Sequence, residues 1–91
     1  MFSVTIETVG NIDFRQYAPI TSPHRLEAET FQVLRKLIRD YQLDEGIGGG
    51  NWTNPTLHHD GQPVGWMSYN CRVWEPDKSW PEAEEITIGR N

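Results

Sequence analysis

The chain has one cysteine, Cys71, among its 91 residues, so it holds no internal disulfide and no cysteine pair for a metal. Positive charge is also scarce: eight lysines and arginines stand against thirteen aspartates and glutamates, a formal charge of −5. That balance argues against a protein that grips a phosphate backbone through a basic face, and nucleic acid is not an expected direct ligand. No apolar run approaches the length of a membrane span, and Met1-Phe2-Ser3-Val4-Thr5 lacks the basic residues and apolar run of a signal peptide. A cytoplasmic protein with no membrane partner is the expectation. Without a secretion signal, the glycosylation pattern Asn51-Trp52-Thr53 reads as accidental.

The length leaves room for a single domain over residues 1–91, with an acidic C-terminal extension from about residue 75. So short a chain buries only roughly 60–65% of its unfolded surface, which leaves a homodimer open as a source of extra stability. Four tryptophans, three tyrosines and three phenylalanines supply the large side chains, to be shared between core and interface. The acidic balance suits simple solubility. It also suits a protein that meets a basic surface, including the nucleic-acid channel of another protein, where carboxylates stand in for phosphates.

Residues Phe2 to Val9 alternate in the period of a half-buried strand, ended by Gly10-Asn11. Ile12 to Pro23 shows no period and reads as a long loop, in which Phe14 and Tyr17 either carry function or cover an open edge of the core. His24 to Glu29 is compatible with a short edge strand. Thr30 then has the character of a helix N-cap, and Phe31, Leu34, Leu37, Ile38 and Tyr41 recur at helical spacing. Lys36 and Arg39 are expected near the helix end, where positive charge suits the dipole, and Gly46 with Gly48-Gly49-Gly50 marks the exit. An alternative start at Ser22-Pro23 would lengthen this helix. Asn51–Leu57 and Pro63–Tyr69 form two strand-like runs around an Asp60-Gly61 turn, the second of them central because both its faces carry large residues. Glu75 to Glu85 is a solvated acidic connection, after which Ile86-Thr87-Ile88 adds a last edge strand. The expected architecture is α+β: one amphipathic helix packed on a mainly antiparallel sheet of about four strands.

Chemistry-bearing constellations are few. The glycine run follows a helix rather than preceding one and lacks the lysine and serine or threonine of a phosphate loop, so it reads as a helix cap and tight turn. His58 and His59 are adjacent on a strand and point to opposite faces, so no metal site is expected from them. Cys71 lacks a local signature of a nucleophile and reads as a buried thiol. No paired carboxylates, triad or metal set supports an enzyme, and no cofactor is expected. The densest segment is Asn51-Trp52 with Trp66-Met67-Ser68-Tyr69-Asn70-Cys71-Arg72-Val73-Trp74. Tryptophan, tyrosine and arginine dominate binding hot spots because they join large area to directional donors. The candidate binding residues are Asn51, Trp52, Tyr69, Asn70, Arg72 and Trp74, with Glu75, Asp77, Glu82, Glu84 and Glu85 as an acidic face. The competing reading makes Trp52 and Trp74 core and lets Asn51, Ser68 and Asn70 satisfy backbone groups.

Those motifs, with Val9-Gly10-Asn11-Ile12-Asp13-Phe14 early in the chain, read V-G-N-I-D-F, a helix, G-G-G-N-W, and a final S-Y-N-C-R-V-W. The pattern resembles that of small bacterial, phage and mobile-element proteins without an assigned activity. This chain departs from it in having Cys71 where glycine is usual. The phage or mobile-element setting implied by the resemblance points to an inhibitor of host defence, such as an anti-CRISPR protein. The leading expectation is a non-enzymatic module that binds a protein partner, with such a defence component as the candidate; the alternative is a small-ligand or sequestering protein for an anionic, nucleotide-like molecule held by the glycine turn, Asn51, Trp52, Tyr69 and Arg72.

Overall fold

The alternation at the start of the chain becomes strand β1 (Phe2–Ile6) in the computed structural model, which describes residues 1–88. Phe2, Val4 and Ile6 turn to one face and are buried, while Thr5 turns to the other and is exposed. β2 (His24–Ala28) runs antiparallel along one side of β1 and β3 (Thr56–His59) along the other. β4 (Gln62–Met67) follows β3 through Asp60-Gly61, whose φ angles of 51° and 82° are those of a two-residue hairpin turn. β5 (Val73–Trp74) and β6 (Glu85–Ile86) complete a sheet in the order β2-β1-β3-β4-β5-β6, with every neighbouring pair antiparallel. The sheet thus has six strands where the sequence suggests about four. β5 is two residues long, too short to carry a period, and β6 is the edge strand expected at Ile86-Thr87-Ile88, placed at Glu85–Ile86.

The helix α1 (Phe31–Asp44) starts where the capping chemistry puts it: the Thr30 hydroxyl accepts from the Val33 amide at 3.2 Å. The alternative start at Ser22-Pro23 is excluded because His24–Ala28 pairs with β1. Phe31, Leu34 and Ile38 form the buried stripe. It continues into a polar residue, Gln42, which is 2% exposed and satisfied: its Nε2 donates to the Tyr69 carbonyl at 3.0 Å, and its Oε1 accepts from Arg39 at 3.1 Å. α1 runs to Asp44 with no basic residue in its last turn, so Lys36 and Arg39 sit mid-helix and do not meet the dipole there.

α1 lies on the face made by Phe2, Val4, Ile6, Leu57, Met67 and Val73, and these residues form one core with the helix stripe. Gly65 belongs to this face and is tied to it by sterics: a Cβ there would lie 2.2 Å from the Trp74 carbonyl oxygen. The absent side chain lets β4 and β5 approach, and this sets Trp66 directly opposite Trp74 on the other face. That second face, where Thr56, Trp66 and Trp74 stand side by side in register, has no helix over it.

The segment from Glu75 onward is not a free extension. The Glu75 amide donates to the Glu84 carbonyl at 3.0 Å, the Glu84 amide donates to the Glu75 carboxylate at 3.0 Å, and β6 then pairs with β5. It is a strap that leaves the sheet and returns to it.

Phe14 and Tyr17 do not cover the core edge: they are 75% and 81% exposed, and Ile12 beside them 74%. No helix among the described residues is long and apolar enough to cross a membrane.

Cys71 has φ of 64° in the tight turn between β4 and β5 and is buried. This left-handed conformation is one that glycine adopts without strain and a residue with a Cβ does not. The consequence is an inverted ranking of two truncations. Cys71→Gly is expected to be more stable than Cys71→Ala by about 1 kcal/mol, because both lose the thiol but only glycine relieves the backbone. Urea unfolding of the two variants measures this, and alanine as the more stable replacement would contradict it.

Candidate functional site

The two sequence motifs meet at Asn51. Its Nδ2 donates to the Val9 carbonyl and to Gln16 Oε1, each at 2.9 Å, and its Oδ1 accepts from the Gly48 amide at 2.9 Å. Gln16 Oε1 also accepts from the Asn11 amide at 3.1 Å. The junction is tight enough that a Cβ on Gly50 would lie 2.2 Å from Asn11 Nδ2. Asn51 is 4% exposed, so its amide is spent on holding the glycine turn, the end of the first strand and the loop at 10–17 together. Trp52 is likewise interior, at 8% exposure; its Nε1 donates to the Met67 carbonyl at 2.9 Å and its ring meets Tyr69 edge-on. Both residues are interior, as in the reading that makes Trp52 core and lets Asn51 satisfy backbone groups.

The remaining three tryptophans gather on the uncovered face. Trp66 and Trp74 are cross-strand partners whose ring centroids lie 5.8 Å apart at an interplanar angle of 20°. Trp80, from the strap, stands at 83° to Trp74 with centroids 5.9 Å apart, and is 70% exposed. Two of the indoles are pinned by their N–H groups: Trp66 Nε1 donates to the Lys78 carbonyl at 2.7 Å and Trp74 Nε1 to Ser68 Oγ at 3.1 Å. The first of these bonds ties the strap across the sheet, and so carries Trp80 into place. Beside the rings is an open cleft of about 470 Å³, lined by the three tryptophans with Asn54, Ser68, Tyr69 and Asn70. It adjoins a second cleft on the other side of Trp66 and Trp80, where Asp77 and Lys78 stand.

Of the residues singled out from sequence, Trp74, Tyr69 and Asn70 thus line one cleft, while Arg72 faces elsewhere. Tyr69 takes part with its ring, since its hydroxyl donates to the Ile47 carbonyl at 2.8 Å and Arg39 sits over the ring at 5.8 Å. Arg72 lies 3.9 Å from Glu85 and lines, with Arg35, a separate cleft of about 320 Å³ between α1 and the β5–β6 edge. Within the acidic set, Glu75 pairs with Lys78 at 3.3 Å and Glu85 with Arg72, whereas Asp77, Glu82 and Glu84 have no ion-pair partner among the described residues.

The other candidate groups are structural. His59 stacks on Phe2 with centroids 4.1 Å apart, His24 stacks on Tyr41, and His58 lies on the open face. Among the described residues no cluster of three histidine, cysteine or carboxylate side chains is placed to hold a metal. Burial pushes the Cys71 thiol up from its ordinary value, although Arg39 and Arg35 pull the other way. A thiol held protonated is a poor nucleophile. By linkage, its contribution to stability is complete below the ordinary thiol range and is lost as pH rises through the folded-state value.

No protein-family model, curated protein or solved structure matches the chain.

Trp66 and Trp80 line the cleft but are absent from the candidate set read from the sequence. Trp66 is signalled by the alternation of β4, which sets it on the face opposite Met67. Trp80 is signalled only by composition, as a lone large aromatic amid acids and prolines, a setting that cannot bury it. The two environments predict opposite responses to truncation. Trp52→Ala is expected to cost about 3–5 kcal/mol, enough to unfold most of a small domain, whereas Trp80→Ala should change stability by less than about 1 kcal/mol. Thermal melts of both variants decide this, and equal losses would show that Trp80 is core.

Proposed function

We propose that the protein is a non-enzymatic binding module that docks a basic segment of a partner protein on the open face of its sheet. Trp66, Trp74 and Trp80 are the anchor, and Asp77, Glu82 and Glu84 are the steering charge. The observation that carries this reading is the three-indole cluster on a face that no helix covers, with one ring 70% exposed on a tied strap. Exposed indoles cost a free domain in solubility and give most when buried at an interface. Rings already held by strand pairing and by N–H bonds lose little freedom on docking, which favours affinity.

Charge selects the partner. The strap from Glu75 to Glu85 carries five carboxylates against Lys78 alone, so it attracts a basic surface and repels nucleic acid. A host defence protein with a basic nucleic-acid channel is the partner class that this charge suits, and an anti-CRISPR-like inhibitor of such a protein is the role that follows. Asn70, at the rim of the tryptophan cleft, adds a polar contact.

The second reading, a small anionic ligand, rests on Arg35 and Arg72 at the helix-side cleft. It requires the ligand to displace Glu85 from Arg72, and thermal stabilisation by nucleotides would reveal it.

Affinity capture from host lysate separates these readings. The wild type is expected to retain a protein at low salt that both Trp80→Ala and the triple change Asp77→Asn, Glu82→Gln, Glu84→Gln lose, the triple variant with a weaker salt dependence. Equal retention by all three folded proteins would rule out this face as the docking site.

A further inference from the structure

We propose that the tryptophan cleft takes a weakly hydrated organic cation, of the guanidinium or quaternary-ammonium class, as the anchor group of the docked segment; this rests on the binding reading above. Three features of the cleft select that chemistry. The N–H groups of Trp66 and Trp74 are spent on the Lys78 carbonyl and on Ser68, so what these rings offer a ligand is their π surface. An indole face carries negative potential and is the best of the aromatic faces for a cation. Trp80 stands nearly at right angles to Trp74, so a compact ligand can touch more than one ring instead of lying on a flat wall.

Among the residues that line the two clefts, Asp77 is the one charged side chain without an ion-pair partner among the described residues. The polar lining of the cleft, Asn54, Ser68 and Asn70, is uncharged, and the adjoining cleft shares Trp66 and Trp80 with the carboxylate of Asp77. Lys78, which lines that adjoining cleft, is paired with Glu75 at 3.3 Å. An anion would meet the negative strap, and a neutral apolar group would leave the charge unused. An ordinary ammonium is strongly hydrated and gives up more water on entry than a guanidinium or a methylated ammonium does. The chain uses the same contact internally, with Arg39 at 5.8 Å over Tyr69 and Arg35 at 5.9 Å over Phe31. At about 470 Å³ the cleft has room for a cationic head together with the groups that carry it.

The test compares two probes of one shape, choline and its uncharged isostere 3,3-dimethylbutan-1-ol, titrated into the whole protein and followed by the indole N–H resonances and tryptophan fluorescence. Choline is expected to bind at least about tenfold more tightly than the alcohol, in keeping with a partly desolvated cation–π contact. Binding should fall in the order wild type, Trp80→Phe, Trp80→Ala. Equal affinity for the two probes would overturn the proposal, because it would make the cleft simply apolar. So would saturable choline binding unchanged in Trp80→Ala. If neither probe binds while lysate capture still depends on Trp80, the cation anchor is wrong and the docking reading stands. If choline binds as expected and capture fails, the cation site stands and protein docking falls. An arginine-rich peptide beside its citrulline counterpart then tells a side-chain source of the cation from a free small molecule, with stronger binding of the arginine form assigning the site to a peptide.

Discussion

One helix cannot cover a six-stranded sheet on both faces, and the rest of the structure follows from that shortage. Phe2, Val4, Ile6, Leu57, Met67 and Val73 are satisfied by the α1 stripe and by Trp52 beneath the glycine turn. Nothing comparable lies over the second face. Along β1 and β2 that face solves the problem with polar residues, among them Thr5 and the Arg25–Glu27 ion pair. Along β4 and β5 it carries indoles instead, and the strap lays a third across them. A domain this small, with so little apolar surface to spare, would gain from turning those rings inward. Their outward placement is the structural fact that a function has to explain.

The interior devices that hold this arrangement are short-range and polar. Asn51 binds the glycine turn to the loop at 10–17, and Gln42 binds the helix to the turn before β5. Gly65 removes the one Cβ that would keep β5 away from β4. Each is a buried polar or steric requirement, and Gly65 bears on the tryptophan face directly, through the backbone of Trp74. The loop at 10–17 is fixed in the same way, and it holds Ile12, Phe14 and Tyr17 in solvent beyond the C-terminal end of the first strand.

The legible parts of the sequence were those written in period and capping. The alternation of Phe2, Val4 and Ile6, the helical stripe and the Asp60-Gly61 turn each have one physical reading, Thr30 competes as N-cap only with Ser22, and the α+β class follows from them. The short strand β5 has no period to read, and the core stripe of the helix runs on past Tyr41 to Gln42, whose polar side chain gives no sign of a core position. The binding set was only partly legible for a related reason. Trp52 and Trp80 look alike as letters, and what separates them is whether a backbone carbonyl of the core or one strap bond fixes the ring. Asn51 reads either as an amide that recognises a ligand or as one that satisfies backbone groups, and the loop it closes shows the second role.

The account comes down to which indoles meet a partner. The four indole N–H resonances of the isotope-labelled protein, recorded before and after addition of an arginine-rich peptide, address this directly. The account predicts shifts at Trp66, Trp74 and Trp80 while Trp52 stays fixed. Shifts confined to backbone amides of the loop at 12–17, with all four indoles unmoved, would contradict it.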